Sequence, residues 1–409
     1  MIDALSLLRI QFAATGSIHF LFVTLSLGLV VFVASMQTAY TVTGKQVYAR
    51  MTAFWGTIYV INYALGIVTG LVMEFQFGLN WAGLSDKVGN VFGVPLVLET
   101  LLAFVVEATF LGMWIFGWNT LPKKAHLALI WLVALAAYTS AFWILVANAF
   151  MQHPVGYELR DGRAVMTDFG ALVGNAGLLD THVHVGFVAL MAGGMVVTGV
   201  SAWHLIKRNE VEFFTRSLRW ALPVVFVSVL FVIHFGFRQA AGLRDTQPAK
   251  LAALLAEPAP AVVAAPPSWI ITPYQLMQAC AFIIQISTFL CVLMLFRNAV
   301  VRLRAPLYLL AALAPLPLVA VILGWLVREA GRQPWAVYGL LTIQDAASDM
   351  STAQALVSTV VIVLLMGTIA AVNYWLILRF ARRGPNDGLF GLTLERAGQE
   401  EDANRTLAL

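Results

Sequence analysis

Ionisable and sulfur-bearing side chains recur inside the apolar segments of this 409-residue chain, at positions where they could do chemistry. A charged side chain at the centre of a membrane span costs about 2.5–3.5 kcal/mol even on lenient insertion scales, so each one needs a functional or structural reason. We expect all of these side chains to lie in the outer third of a bilayer except Glu107, which lies deeper. The seven positions are His19, Glu74, Glu99, Glu107, His184, Met277 and Glu329.

The types of these residues favour haem binding. Histidine, methionine and oxygen donors are all axial ligands of haem iron. Zinc fits less well, because no helix carries an H-x-x-x-H spacing and the sequence has no Cys/His cluster. A proton or ion pathway without a cofactor also uses ionisable residues at membrane depth, and structural pairing is the third interpretation. The residue pattern alone leaves all three open.

The composition places these residues in a membrane protein. Hydrophobic residues make up 60% of the chain and charged residues only 11%, with a mean hydropathy of +0.83. Charged residues make up about a quarter of an average soluble chain. A water-soluble globular domain, a disordered protein and a nucleic-acid binder are therefore all excluded.

Nine apolar segments are long enough to cross a bilayer, which takes about 20 residues each. They predict an all-α polytopic membrane protein in which residues 1–237 hold six helices, residues 272–383 hold three, and residues 384–409 form a cytoplasmic tail. The proline-rich stretch 238–271 is predicted as a short outer loop or linker. The predicted spans are 17–40, 52–75, 93–118, 127–149, 182–205, 217–237, 272–297, 305–327 and 355–380.

The Lys and Arg residues are unevenly divided between the two sides of these spans. Of the 25, 16 fall on one side, including every compact basic cluster. Cytoplasmic loops carry an excess of Lys and Arg, so this side is predicted to be cytoplasmic, with the N-terminus outside and the C-terminus inside. The net charge of +4 is thus a consequence of topology and does not indicate a nucleic-acid partner.

Several stretches place polar residues within apolar sequence in long, ordered motifs. They are RIQFAATGSIHFLFVTLSLGL (9–29), GLVMEFQFGLNW (70–81), the Glu99/Glu107 pair, WILVANAFMQHP (143–154) and GWLVREAGRQPW (324–335). Together these motifs resemble subunit I of the cytochrome bd quinol oxidases. The resemblance implies a nine-helix subunit of the bacterial inner membrane that oxidises ubiquinol or menaquinol, reduces O2 to water and contributes to proton motive force. It also implies an integral subunit II and a small single-span subunit as partners.

The resemblance further implies three haems held by this chain. His19 would bind haem d, or a haem b in its place, where O2 is reduced. His184 and Met277 would bind a low-spin haem b that accepts electrons from quinol, and Glu329 would bind a high-spin haem b. This division agrees with general haem chemistry, because Met/His ligation raises the potential for electron transfer, whereas a single ligand leaves one face open for O2.

Four further residues receive roles from the resemblance. Glu99 would lie on the distal side of the haem bound by His19, and Arg332 near the haem propionates. Glu107, with Ser140 on the next helix, would belong to a proton path from the cytoplasm. On an α-helix the eight-residue step from Glu99 to Glu107 gives about 12 Å of rise and roughly 80° of rotation, so a water or hydroxyl is expected to bridge the two.

The connection between the sixth and seventh helices departs from the family pattern. HFGFRQAAG (234–242) replaces the expected Gly-Asp-x-Ser-Gly stretch, and Lys250 matches a quinol-site lysine. The glutamate expected five residues later is Leu255, with Glu257 two residues further on. Either quinol binds a reduced site formed by Lys250 and Glu257, or the electron donor differs.

Other polar residues receive simpler interpretations. His182 is an alternative ligand by chemistry, although the motif favours His184. We expect structural roles for His234 and for Glu74, the latter as a buried, hydrogen-bonded carboxylate. The histidines expected to be solvated or interfacial are His126, His153 and His204. Two alternative functions stay open: a bd-like haem oxidase with a different electron donor, and a haem-free proton or ion transporter.

Overall fold

In the computed structural model, residues 2–258 and 265–385 are described, and they form a bundle of nine long helices. Each is long and apolar enough to cross a membrane, which confirms the predicted all-α architecture. The helices are α1 (Ala4–Thr43), α2 (Gln46–Leu79), α3 (Ala82–Phe116), α4 (Lys123–Gln152), α5 (Leu178–Ile206), α6 (Val211–Thr246), α7 (Ile271–Leu295), α8 (Arg304–Ala330) and α9 (Thr352–Arg383).

Short elements connect these helices. Two antiparallel hairpins lie in the connections after α4 and α8, where Tyr157 pairs with Met166 and Trp335 pairs with Thr342. Because α4, α6 and α8 all end on the side where α1 begins, both hairpins cover that end of the bundle. The remaining short helices are Phe169–Val173, Pro248–Leu255, Ser268–Ile270, Phe296–Asn298, Ala299–Arg302 and Ile343–Ala346. The strands are Tyr157–Arg160, Arg163–Met166, Trp335–Val337 and Leu341–Thr342.

Helix α1 is the centre of the bundle and begins well before its predicted span. It packs against α2, α4, α5, α8 and α9. Its first turn is capped by Asp3, whose side chain accepts a hydrogen bond from the Ser6 backbone N–H at 2.8 Å. The expectation that the helix starts near residue 17 was wrong, because it missed a buried polar layer. Gln11 and Thr15 are fully buried and both hydrogen-bond to Gln76 of α2, so hydropathy does not detect them.

The predicted boundary at residue 238 also differs from the structure. Helix α6 continues to Thr246, and a second helix follows at once, with Pro248 in its first turn, a position that proline tolerates. Much of the segment predicted as a loop is therefore helical. Residues 259–264 of that segment and residues 386–409 of the predicted tail lie outside the described residues.

Close backbone contact fixes α1 against α5. A Cβ at Gly28 would lie 2.0 Å from the Ala189 carbonyl oxygen, and one at Gly193 would lie 2.8 Å from the Gly28 carbonyl carbon. Small residues of this kind let membrane helices approach closely. The contact fixes the helix that carries His19 against the helix that carries His184.

Candidate functional site

One cavity collects all seven residues that the sequence singled out. It encloses about 550 Å³ and is lined by the first eight long helices, α1 to α8. Ser140 and Lys250 also line it, whereas Arg332 and Glu257 do not. The seven predicted residues, all of which line it, are His19, Glu74, Glu99, Glu107, His184, Met277 and Glu329.

His19 is held in one tautomer by Thr69. The distance from His19 Nδ1 to Thr69 Oγ1 is 2.9 Å, and the Thr69 hydroxyl donates its own hydrogen to the Gly66 carbonyl at 2.6 Å. The Thr69 oxygen must therefore accept from His19 Nδ1–H, which leaves the lone pair on Nε2. Metal-binding histidines are oriented in this way by an outer partner. Thr69 was not predicted from the sequence, where a threonine in an apolar helix is unremarkable.

We expect Thr69→Val to weaken haem binding at His19 without unfolding the bundle. Loss of an orienting partner of a metal-bound histidine costs about 10–100-fold in metal affinity or activity. The measurement is the haem-to-protein ratio of the purified complex. Thr57→Val is the matched control, since Thr57 is fully buried on the same helix, donates to the Ala53 carbonyl and does not line the cavity. Equal haem content in the two variants would contradict the orienting role.

His184 is oriented by a backbone carbonyl. Its Nδ1 lies 3.1 Å from the Val232 carbonyl oxygen, which can only accept, so Nε2 is again the free nitrogen. Glycines make room beside both members of the predicted ligand pair: a Cβ at Gly236 would lie 3.5 Å from His184 Cε1, and one at Gly324 would lie 2.9 Å from Met277 Sδ. His182, the alternative ligand, does not line the cavity and packs edge-on against Phe142.

Glu329 is the centre of a buried polar cluster. Its Oε1 accepts from Asn148 Nδ2 at 2.9 Å, and its Oε2 pairs with Arg332 Nη2 at 2.7 Å. Asn148 Oδ1 in turn accepts from Arg328 Nε. Neither Asn148 nor Arg328 was predicted as a site residue from the sequence, although a polar amide in the apolar run of α4 is the feature that could have indicated the first.

Lys250 approaches this cluster from the helix after α6. Its Nζ donates to the Arg328 carbonyl oxygen at 3.0 Å, and burial together with the nearby positive charge of Arg328 lowers the pKa of Lys250 to about 7. The side chain lies over Gly331, where a Cβ would come within 2.6 Å of Lys250 Cε. Glu257, its expected partner, is exposed, so the structure does not bring the two together at the cavity.

The two carboxylates of α3 are joined by a segment of unusual backbone geometry. Residues Leu101–Glu107 form a π-helix, whose i→i+5 hydrogen bonds turn the chain through a smaller angle per residue than an α-helix does. The expected rotation of about 80° assumed a regular α-helix, from which the π-helix departs, and both side chains line the same cavity. Ser140 Oγ donates to Glu99 Oε1 at 3.3 Å, and Tyr59 donates to Glu107 Oε1 at 3.2 Å.

Three expectations for other polar residues were wrong. His126 is buried, with Nδ1 2.8 Å from Gln37 Nε2 and Nε2 2.7 Å from the Trp114 carbonyl. His204 is fully buried and donates from Nε2 to the Ala381 carbonyl at 2.8 Å. Both rings therefore link helices instead of meeting solvent. Glu74 lines the cavity, but its carboxylate has no hydrogen bond within the described ranges 2–258 and 265–385.

The side chains around the cavity suit a haem. Two imidazoles present a free Nε2, and Met277 Sδ and the Glu329 carboxylate face the same space. Arg332 is 7% exposed, yet its Nε and Nη1 have no partner in the described chain, and Trp325 Nε1 is likewise buried without one. Buried donors of this kind need acceptors. Arg332 lies beside the cavity, paired with the lining residue Glu329, so a cofactor that carries carboxylates would supply acceptors to its guanidinium.

Known proteins are similar to this chain in sequence and in fold. A family model described as cytochrome bd terminal oxidase subunit I matches residues 7–262 and 260–385. The chain is 39% identical over 417 aligned positions to cytochrome bd ubiquinol oxidase subunit 1 of Bacillus subtilis (strain 168), covering 87% of this chain and 89% of the relative. It is 31% identical to cytochrome bd-II ubiquinol oxidase subunit 1 of Escherichia coli (strain K12), covering 94% and 98%.

A solved structure gives the same result for the whole bundle. The chain superimposes on a chain of the bd oxidase from Geobacillus thermodenitrificans with a TM-score of 0.86 and 25% identity, covering 94% of this chain and 99% of the other. The sequence motifs, the nine-helix fold and the ligand-bearing cavity thus agree with one another. The chain belongs to the cytochrome bd terminal oxidase subunit I family.

Proposed function

We propose that this chain is the haem-bearing large subunit of a quinol:oxygen oxidoreductase, which oxidises quinol and reduces O2 to water. The observation that carries the proposal is that one cavity collects His19, His184, Met277 and Glu329 from four different helices. The names of the Bacillus and Escherichia relatives, both ubiquinol oxidase subunits, support it.

We assign His184 and Met277 to a low-spin haem b, Glu329 to a high-spin haem b, and His19 to haem d or a haem b in its place. When bound, a haem with two protein ligands transfers electrons, and one with an open face binds and reduces O2. The chain orients these ligands through Thr69 and through the Val232 carbonyl. The unpartnered donors of Arg332 support its assignment to the propionates.

We assign the proton path to the face of α3 that carries Glu107 and Glu99. Glu107 is 5% exposed and holds the Tyr59 hydroxyl, while Glu99 holds the Ser140 hydroxyl further along the same cavity. Ser140 hydrogen-bonds to Glu99 and not to Glu107, which supports its assignment to the later station of the path. Protons taken from the cytoplasm along this path, with the N-terminus outside, would make the reaction electrogenic without pumping.

The partners and location follow from the family. We propose an integral subunit II and a small single-span subunit in a bacterial inner membrane. Of the nine spans, α9 is the least buried, with 17% of an apolar 18-residue stretch buried against the rest of the described chain. Its exposed side chains include Leu356, Val357 and Leu364, which suits contact with lipid or with helices of another subunit.

Electron entry has two candidates. Lys250 lines the cavity, which supports ubiquinol or menaquinol at this end of the bundle. The exposed position of Glu257, away from Lys250, favours the second candidate, a bd-like oxidase with a different electron donor. Both are oxidases, and they differ only in the reductant.

The test is a reduced-minus-oxidised optical spectrum of the purified complex, followed by O2 uptake with ubiquinol and menaquinol analogues. Haem bands with quinol-driven uptake are the expected result. Haem bands without quinol activity would establish the different-donor candidate. A complex without haem bands would contradict both candidates and leave a haem-free transporter.

A further inference from the structure

The cavity reaches the protein surface between α5 and α6, beside an ion pair. Asp180 and Arg238 both line it, and the Arg238 Nε lies 3.1 Å from each Asp180 oxygen. The side chain of Asp180 is 19% exposed and that of Arg238 is 58% exposed. A molecule that enters the cavity here therefore meets this pair first.

This opening lies close to His184, which we assign to the haem that accepts electrons. Asp180 lies four residues before His184 on α5, which places it one turn away on the same helix face, at a rise of about 6 Å. The seam between the helices is continuous: Thr181 donates to Gln239 at 3.1 Å, and Gly236 leaves space beside the His184 ring. Asp180 is thus the polar group at the mouth, and His184 lies one turn inside.

The oxidation of a quinol at this mouth needs a proton acceptor. The carboxylates that line the cavity are Glu74, Glu99, Glu107, Asp180 and Glu329. Glu329 already accepts a hydrogen bond from Asn148 and pairs with Arg332, and the other three glutamates lie on α2 and α3. Glu257 does not line the cavity. Asp180 is the carboxylate that combines a place at the mouth with contact to solvent.

We propose that Asp180 accepts the quinol protons, with Arg238 holding its carboxylate in place; this inference rests on the proposed quinol oxidase function. In each of two steps a quinol O–H bond would break, the proton would pass to an Asp180 oxygen and on to the outer solvent, and one electron would pass to the haem b that His184 and Met277 would hold. Two electrons and two protons leave the quinol, which becomes the quinone. O2 is the final oxidant.

Three variants of the intact complex test this assignment. General acid–base groups contribute about 10²–10⁴-fold, so Asp180→Asn should lower kcat with a ubiquinol analogue about 100-fold, and Asp180→Glu should recover at least about tenfold of that loss. Arg238→Gln breaks the same ion pair but keeps the carboxylate, so its kcat should stay within about fivefold of the unaltered complex. In all three, the low-spin haem band should persist.

The matched control is Asp86→Asn, which breaks another Asp–Arg pair. The pair of Asp86 with Arg163 is exposed and does not line the cavity. Single-turnover reoxidation of the dithionite-reduced complex by O2 measures the oxygen side without quinol, and it should be unchanged in every variant.

Two results would overturn the assignment of Asp180 and leave the proposed quinol oxidase function standing. The first is a quinol turnover of Asp180→Asn at half the unaltered rate or more. The second is an equal loss in Asp180→Asn and Arg238→Gln, which would indicate a structural ion pair. An unaltered complex that carries haem but oxidises no quinol would overturn the proposed donor, and this inference with it. The two failures are therefore distinguishable.

Discussion

Glu329→Gln should cost the complex one haem and lower O2-reducing turnover by at least about 100-fold, since loss of an outer partner alone costs about 10–100-fold in metal affinity or activity. The amide keeps the size of the side chain but removes its negative charge. Arg332, which pairs with Glu329 at 2.7 Å, and the neighbouring Arg328 would then be buried cations without their carboxylate. Breaking such a pair is strongly destabilising. Haem content per complex and O2 uptake are the measurements.

Glu74→Gln is the matched control for this experiment. Glu74 lines the same cavity but has no hydrogen bond to its carboxylate in the described parts of the chain, and we do not assign it to a haem. Its amide variant should keep the full haem content. A Glu329→Gln complex with full haem and normal turnover would remove Glu329 from the ligand set.

Glu107→Gln should slow steady-state turnover about 100-fold while every haem is retained, because an amide cannot relay a proton and general acid–base groups contribute about 10²–10⁴-fold. The Tyr59 hydroxyl can still donate to the amide oxygen, so the local packing survives. Quinol-driven O2 uptake and the optical spectrum of the same sample are the two measurements. Glu99→Gln should behave in the same way.

Tyr59→Phe separates the carboxylate from its hydrogen bond. It removes the donor at 3.2 Å but keeps the Glu107 carboxylate, so the loss of turnover should be clearly smaller than in Glu107→Gln. Normal turnover in Glu107→Gln would mean that protons reach the oxygen site by another route. Loss of haem in this variant would mean that Glu107 has a structural role.

The sequence was sufficient for the number of spans and for seven of the residues that line the cavity. Charged residues within apolar segments are rare because they are costly, so His19, Glu99, Glu107 and Glu329 are visible without coordinates. The groups that orient these side chains are not visible in the sequence. Thr69 is one hydroxyl among many, and the Val232 carbonyl has no side-chain signature at all.

Backbone geometry was the second feature that could not be predicted from the sequence. A period of 3.6 residues was the reasonable assumption for α3, and the π-helix at Leu101–Glu107 departs from it between the two carboxylates. His126 and His204 were misjudged because their partners, such as the Trp114 and Ala381 carbonyls, belong to backbone that hydropathy does not describe. The start of α1 was missed because Gln11 and Thr15 are buried against the Gln76 side chain, a contact that hydropathy does not describe either.

The cavity is lined by helices from the first six spans and by two of the last three, and this has a consequence for biogenesis. A ribosome that has released α6 has delivered His19 and His184, but neither Met277 nor Glu329. Thr359 of α9 must also reach Gln11 of α1 before the buried polar layer of the first helix is complete. No N-terminal fragment that ends before α8 holds the whole ligand set, so capture of the full set of cofactors belongs to a late stage of maturation, after α8 has been inserted.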